Sequence, residues 1–385
     1  MSEEKKAKAV ALFSGGLDSI LAARLVQEQG IEVLGLHFIS PFFGKAGAAA
    51  YWERVFGIRI RVVDLGADYA SMLARGPLYG YGSVMNPCVD CKILMIRRAR
   101  EIMEELGACC IITGEVLGQR PMSQRRDALN IISRDAGARG LLLRPLCALR
   151  MDPTAAELAG FIDRERLLGI SGRGRKDQMA LAARFGIRER DMPTPGGGCR
   201  LTEKENARSY WPILLHQREP GAGDFALANT GRQYWHLPTH SGEGAYRLII
   251  GRNQADNDNL LSTASRDDIL FKTRDFPGPV ALGRACSLAW PPEAVAAAAA
   301  FTASYSGRAS AFTRERGVPV AVRVHRASLD APGEEIEVQP ERAPAYAWRE
   351  YSWEETREAL QKARTAPGGQ RGAAPLGPPQ GHDAP

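Results

Sequence analysis

Ala9-Val10-Ala11-Leu12-Phe13-Ser14-Gly15-Gly16-Leu17-Asp18-Ser19 is the stretch whose reading decides the fold. An unbroken apolar run ends in Ser-Gly-Gly, and an apolar-periodic segment opens at Ile20, which predicts a buried strand, a tight loop and a helix N-terminus. The two glycines let the backbone pass close to a ligand, and Ser19 with the first-turn amides directs donors outward. A helix N-terminus with free N–H groups is a natural phosphate site. A Walker loop would place Lys directly before the Ser, and a dinucleotide fingerprint would add a third spaced Gly; neither is present. Asp18 has two readings, orienting a metal or the loop on one hand and capping the helix on the other.

Working outward, Ile20 to Gln29 carry helix periodicity and Gly30 supplies the stop. Glu32 to Phe38 and Arg59 to Asp64 read as strands with helical residues around Tyr51–Phe56 between them. This unit implies a parallel sheet with right-handed crossovers, whose ligands bind outside the carboxyl ends of the strands. Ser14 to Ser19 then lie beside Leu36, His37 and Phe38, where an adenine meets backbone groups. His37 alone reads as an ordinary strand-end histidine without a catalytic role. A long amphipathic helix, Ile93 to Leu106, leads to a buried strand at Ala108–Ile112, and Thr113-Gly114-Glu115 at its end falls on the ligand side. Gln119 to Gln124 are expected to open a helix, Leu141 to Pro145 to form a fifth strand, and Thr154–Asp163 and Lys176–Phe185 to be helical. The basic Ser171-Gly-Arg-Gly-Arg-Lys176 between them reads equally well as a solvated turn and as a phosphate-backbone contact.

At 385 residues the chain exceeds one ordinary core, so two domains and a tail are expected. The boundaries read as 1–205, 206–345, a helix over 346–365 and a disordered tail over 366–385. The second domain is expected to be α+β, with a hairpin over Asp224–His236, strands at Tyr246–Asn253 and Gly317–His325, and a helix over Ala294–Tyr305. No apolar run approaches the roughly 20 residues that span a bilayer, and Met1-Ser-Glu-Glu-Lys-Lys does not resemble a signal peptide. A cytoplasmic protein without membrane contact is expected. Residues 1–205 carry 30 Lys and Arg against 24 Asp and Glu, and residues 206–385 carry 20 against 20, so the excess charge accompanies the nucleotide loop and suits a polyanionic partner.

The seven cysteines do not form a secreted disulfide pattern. Cys88-x-x-Cys91 precedes a helix, whose N-terminus lowers thiol pKa, and a lone pair at this spacing is compatible with a redox dithiol, half a zinc site or cluster ligands. Cys199 sits in the glycine-rich Pro193–Thr202 run, from which its thiol reaches the same site. Cys109 and Cys110 read as core residues, and Cys147 and Cys286 as structural.

Ser14-Gly-Gly-Leu-Asp-Ser19 resembles the pyrophosphate loop of enzymes that split ATP between its α and β phosphates. Together with Asn86-Pro-Cys88, Thr113 to Gln124 and Leu143-Arg-Pro-Leu146, it resembles the tRNA thiouridine synthases of the PP-loop ATP pyrophosphatases. The Thr-Gly-Glu to Ser-Gln run is similar to tRNA 4-thiouridine synthase, and Asn-Pro-Cys also resembles the 2-thiouridylases. The resemblance spans residues 8–205 and implies an α/β, parallel-sheet, HUP-like (adenine nucleotide alpha hydrolase) domain. It implies ATP contacts at Leu12, Phe13, Lys92, Gly114 and Gln124, beside Ser14, Gly15, Gly16, Leu17, Asp18, Ser19 and Thr113. In such enzymes ATP adenylates a uridine carbonyl and sulfur displaces AMP. The loop amides, Ser14, Ser19 and Lys92 suit the growing charge on pyrophosphate, with Mg2+ held through the phosphates.

Cys88, Cys91 and Cys199 resemble the three thiolates that hold a [4Fe-4S] cluster in one class of thiouridine synthases. The competing expectation is persulfide chemistry, one cysteine carrying sulfur and another resolving it. The donor is then sulfide or the persulfide of a cysteine desulfurase. Two departures stand out: few residues precede the loop where an N-terminal RNA-binding domain is customary, and no sulfurtransferase domain is evident at the end. Residues 206–345 instead resemble the RNA-binding domain of NFACT proteins, on Gly231-Arg-Gln-Tyr, Ile250-Gly-Arg-Asn253, Asn257 and Asn259. There Arg232, Tyr234, Trp235 and Arg252 are candidate RNA contacts. The partners expected are tRNA and a sulfur donor, with a homodimer left open. The alternatives are a PP-loop ligase of another acceptor, such as an amidotransfer or lysidine-type enzyme, and a non-catalytic RNA-binding protein.

Overall fold

Ala9, Val10, Ala11, Leu12 and Phe13 alternate between two faces, and both faces are buried, so the first strand lies inside a sandwich of helices. The computed structural model describes residues 7–192, 198–237, 245–286, 289–326, 333–342 and 347–365. The expectations for Met1–Lys6, for most of the Pro193–Gly198 run and for the tail over 366–385 lie outside the described residues. Two compact units emerge, one of Met1–Met72 with Pro77–Thr202, the other of Leu73–Gly76 with Glu203–Pro385.

In the first unit the elements run β1 (Lys8–Leu12), α1 (Leu17–Gln27), β2 (Glu32–Ile39), α2 (Ala49–Phe56), β3 (Arg59–Asp64), α3 (Gly66–Arg75), α4 (Cys88–Leu106), β4 (Cys110–Ile112), α5 (Arg126–Asp135), β5 (Leu142–Leu143), α6 (Ala155–Leu158) and α7 (Lys176–Arg184). The strands form one sheet in the order β3-β2-β1-β4-β5, all parallel. Ala9, Ala11 and Phe13 pack with α1, α2 and α7; Val10 and Leu12 pack with Ile93, Ile96 and Ile102 of α4 and with α5. This three-layer α/β arrangement has the parallel sheet covered by helices on both faces that the resemblance implies. The chain leaves β1 on opposite sides toward β2 and β4, which puts the switch point of the topology, and its crevice, at the β1 and β4 exits.

Several local expectations are corrected. Helix α1 begins at Leu17 rather than Ile20, because Gly16 takes the N-cap position. Gln119 to Gln124 form a turn, and α5 starts only at Arg126. The helix expected over Thr154–Asp163 shrinks to α6, started by a capping box in which the Glu157 carboxylate accepts from the Thr154 amide at 2.7 Å.

The second unit contains α8 (Lys204–His216), α9 (Ala222–Leu227), β6 (Arg232–His236), β7 (Tyr246–Ile250), α10 (Gln254–Thr263), β8 (Ile269–Thr273), β9 (Ala281–Ala285), α11 (Pro292–Ala303), α12 (Gly307–Arg316), β10 (Val320–Arg326), β11 (Glu334–Val338) and α13 (Trp353–Thr365). Its six strands form an antiparallel sheet, β11-β10-β8-β9-β7-β6. One face packs on α11 and the other on Leu260 of α10 and Leu227 of α9. The hairpin expected over Asp224–His236 is a helix followed by a strand: the Asp224 carboxylate accepts from the Gly221 amide at 2.8 Å and starts α9. Among the described residues no helix is long and apolar enough to cross a membrane.

Candidate functional site

Where β1 ends, the Phe13 amide still donates to the Leu36 carbonyl at 2.9 Å, and the chain then turns through Ser14-Gly15-Gly16 into α1. Gly15 has φ of +75°, and a Cβ on it would lie 2.3 Å from the Trp52 ring, so only glycine fits. The Ser14 and Ser19 hydroxyls face each other at 3.3 Å. Ser14 Oγ accepts from the Gly16 amide at 3.3 Å, and Ser19 Oγ donates to the Gly16 carbonyl at 2.7 Å. The loop is therefore shaped by its own hydroxyls around the first turn of a helix, the setting in which backbone donors meet an anion.

At the neighbouring strand exit Gly114 lies directly on this turn: a Cβ there would sit 2.5 Å from the Asp18 carbonyl carbon and oxygen. Gly114 thus joins the β4 exit to the loop by backbone contact. Asp18 is in the first turn of α1 and does not cap it. Its Oδ2 accepts from Gln119 Nε2 at 3.1 Å, while its buried Oδ1 has no hydrogen-bond partner. A carboxylate oxygen left unpaired beside a phosphate-type loop fits a cation such as Mg2+ carried by a triphosphate. Gln124 is buried as well, and its Oε1 is also unpaired.

One residue beyond Gly114, the carboxyl of Glu115 is almost wholly buried. Its Oε2 accepts from Thr113 Oγ1 at 3.2 Å and from Arg144 Nε at 3.1 Å, and Lys92 Nζ stands 3.9 Å from Oε1. Burial pushes Glu115 up, yet Lys92 and Arg144 together hold its carboxyl below the usual carboxylate range. Arg144 is itself buried and donates onward to the Leu129 carbonyl (3.4 Å) and Ser133 Oγ (3.2 Å). Cys147 Sγ donates to the Glu115 carbonyl at 3.3 Å, so this cysteine buttresses the turn.

Lys92 follows Cys91 in the first turns of α4, so the two thiols and the lysine that faces Glu115 share one helix end. Asn86 Nδ2 donates to Cys88 Sγ at 3.1 Å. Cys199 is drawn in by its neighbours: the Arg200 amide donates to the Phe42 carbonyl (2.8 Å) and the Met85 amide to the Leu201 carbonyl (3.1 Å). Tyr69, 1% exposed, packs its ring 5.2 Å from Phe42 and from Phe43. Burial raises its hydroxyl well above the ordinary tyrosine value, with Cys91, Cys199 and Cys88 adding to the rise. The sequence reading expects the helix N-terminus to lower the thiols, but burial dominates at Cys91: it and the neighbouring Cys199 push the thiol up to about 12, against smaller lowering effects of Tyr69 and Lys92. None of the seven cysteines forms a disulfide. Among the described residues, no three His, Cys, Asp or Glu side chains form a ready-made metal-ion site.

His37 spends both ring nitrogens internally, Nδ1 on the Phe13 carbonyl at 2.9 Å and Nε2 on the Lys45 amide at 2.9 Å. Burial lowers its pKa, so the ring is neutral and its nitrogens are unavailable to a ligand. The basic Ser171–Lys176 segment docks beside the β4 exit, where the Gly172 amide donates to the Leu117 carbonyl at 2.8 Å and leaves Arg173 and Lys176 exposed. In the second unit the expected RNA contacts are mostly structural. Tyr234 and Trp235 are buried, Arg252 pairs with Asp256 at 2.7 Å, and Asn257 Oδ1 accepts from the Val280 amide at 3.0 Å. Arg232 keeps partial exposure, its guanidinium 5.4 Å from the Tyr305 ring.

The residues that the sequence reading did not nominate are Tyr69, Asn86, Glu115, Gln119, Arg144 and Trp52. Asn86, Glu115, Gln119 and Arg144 stood inside quoted motifs, and for Glu115 and Arg144 a charged residue at the exit of a buried strand was the available signal. Tyr69 and Trp52 gave none.

Residues 4–158 match the protein family described as "Thiamine biosynthesis protein (ThiI)". A probable tRNA sulfurtransferase of Thermococcus kodakarensis is 29% identical over 146 residues, which is 37% of this chain and 37% of that protein. The chain therefore matches only about a third of the length of such relatives, 37% here and 34% of a probable tRNA sulfurtransferase of Lysinibacillus sphaericus, which is 30% identical over 145 residues, 36% of this chain. Among solved structures, a 4-thiouridine synthetase in complex with RNA and ATP is similar at 22% identity and a TM-score of 0.30, over 47% of this chain and 52% of that one.

Proposed function

We propose that this chain is an ATP-dependent tRNA thiolating enzyme, a PP-loop thiouridine synthase most like tRNA 4-thiouridine synthase. Residues 1–205 then form the thiolation domain and residues 206–345 an NFACT-type RNA-binding domain. The observation that carries the reading is that α4 presents Cys88, Cys91 and Lys92 in its first turns, with Lys92 ion-paired to the Glu115 that Gly114 fixes against the Ser14–Ser19 loop. ATP activation and sulfur delivery share one corner of one domain.

The chemistry follows from the placement. A uridine carbonyl oxygen, O4 or O2, attacks the α-phosphate of ATP, and pyrophosphate leaves with the electron pair of the broken P–O bond. The first-turn amides of α1, the Ser14 hydroxyl and Lys92 would receive the charge that grows on it. Asp18, with Oδ1 unpaired, would hold Mg2+ at the phosphates. Sulfide then adds at the adenylated carbon and AMP leaves, so no redox equivalent is needed.

Cys88, Cys91 and Cys199 would hold a [4Fe-4S] cluster. Cys88 and Cys199 both act electrostatically on Cys91, though the three do not form a ready-made metal site. The Cys91 thiol, pushed up to about 12 by burial, is unfavourable as a bare anion and favourable as a ligand of iron. Held by these three thiolates, such a cluster would supply an iron able to bind sulfide. The exposed Arg173 and Lys176 would meet the tRNA backbone at the rim, and the reaction would take place in the cytoplasm, where tRNA resides.

The test is pyrophosphate release by the full chain with ATP and unmodified tRNA. Release that depends on tRNA and falls at least about 100-fold in Asp18→Ala supports the reading. Release that is absent in the wild type, or unchanged in Asp18→Ala, removes it. An amidotransfer or lysidine-type ligase would release pyrophosphate without leaving sulfur in the tRNA.

A further inference from the structure

We propose that Glu115 is the positioning residue that presents Lys92 to the triphosphate, with Arg144 keeping the charge of Lys92 unspent; this rests on the adenylation reading above. Three features of the site carry it. The place of Glu115 is set by backbone: it follows Gly114, which lies so close to Asp18 that a Cβ would stand 2.5 Å from that carbonyl. The Glu115 backbone is thus held against the first turn of α1, and its buried carboxylate is fixed in turn by Thr113 and Arg144.

The two oxygens of Glu115 are used unequally. Oε2 is fully engaged by Thr113 Oγ1 and Arg144 Nε, at 3.2 and 3.1 Å. Oε1 is buried without a hydrogen bond and faces Lys92 Nζ at 3.9 Å. Such a separation guides the ammonium without locking it.

The charges do not cancel. One carboxylate faces two cations, and the Arg144 side chain is 5% exposed whereas that of Lys92 is 30% exposed. Arg144 neutralises the carboxylate in the interior, so the surplus positive charge resides at the accessible end, on Lys92. A Glu–Lys pair alone would leave no net charge for an anion. With Arg144 present, Lys92 arrives at the phosphate loop positioned and still charged. The charge it meets is greatest as pyrophosphate departs, so the effect belongs to kcat more than to KM for ATP.

Lys92→Ala, Glu115→Gln and the double variant, each as the full chain, are compared in tRNA-dependent pyrophosphate release with ATP varied. Lys92→Ala is expected to lower kcat about 100-fold. Glu115→Gln is expected to lower it about 10-fold with KM for ATP within about twofold, and the double variant to match Lys92→Ala within about twofold, since Glu115 acts through Lys92. Glu115→Gln leaves Arg144 beside a neutral amide, so Glu115→Gln with Arg144→Met is the second route. It removes both buried charges, and its kcat loss should likewise not add to that of Lys92→Ala. Losses that multiply in the double variants, or a Glu115→Gln effect confined to KM, overturn the inference while leaving the adenylation reading intact. A wild-type chain that releases no pyrophosphate removes that reading, and the inference with it.

Discussion

Gly114 has no side chain because Asp18 leaves no room for one. A methyl group there would stand 2.5 Å from the Asp18 carbonyl, far inside van der Waals contact. Gly114→Ala must therefore push the β4 exit away from α1, at a cost of about 1–3 kcal/mol. The same shift would carry Glu115 and Lys92 away from the loop, so pyrophosphate release should fall by more than the loss of Tm explains. A variant that melts early but retains wild-type turnover would contradict this. The Glu115–Arg144 pair was not legible in the sequence. Thr113-Gly-Glu115 and Leu143-Arg-Pro read as two unrelated motifs, and only the pairing of β4 with β5 sets their charged residues side by side. Gly15 was legible as a ligand-loop glycine, but its neighbour Trp52, from α2, was not.

Elements were legible where burial wrote a period into them and illegible where a cap or a proline interrupted it. β1 and α4 stood out because Ala9–Phe13 is buried on both faces and Ile93, Ile96 and Ile102 recur on one. α8 was missed because Pro212 lies inside it and proline reads as a break. The residues of α9 read as one arm of a hairpin because the Asp224 contact to Gly221, which starts the helix, is a matter of geometry. At the end of α8, His216 faces the Tyr351 hydroxyl at 2.6 Å and packs 5.4 Å from the Trp235 ring. Burial, with Arg349 adding to it, lowers its pKa to about 4 from the ordinary 6.5. Between these values the unfolded chain binds a proton that the folded chain refuses, so stability rises with pH across that window and is lost as pH falls through it. Above pH of about 6.5 the group is silent. The Tm of the wild type should therefore drop between pH 7 and pH 5 more than that of His216→Gln, and equal drops would contradict the assignment.

At the scale of the molecule, the parallel order and the loop followed from local pattern, whereas the approach of Cys199 to Cys91 depends on distant contacts. Arg200 and Leu201 reach Phe42 and Met85 across more than a hundred residues of sequence, and nothing in the spacing announces it. The neutral charge balance of residues 206–385 and the burial of Tyr234 and Trp235 leave the half-buried Arg232 and the exposed Arg252, which pairs with Asp256, as what remains of the expected RNA surface there. If the three thiols hold a [4Fe-4S] cluster, the anaerobically purified chain should show a broad visible absorption that is lost in the triple variant Cys88→Ala, Cys91→Ala, Cys199→Ala. A colourless preparation that still thiolates tRNA would exclude the cluster and favour persulfide chemistry.

The central claim is that one domain spends ATP to put sulfur into a tRNA uridine. The most direct measurement incubates the full chain anaerobically with unmodified tRNA, ATP and sulfide, then quantifies thiouridine by nucleoside mass spectrometry alongside AMP and pyrophosphate. The account predicts one AMP and one pyrophosphate for each thiouridine formed. Cleavage of ATP with no sulfur in the tRNA, or thiouridine formed without ATP cleavage, would contradict it.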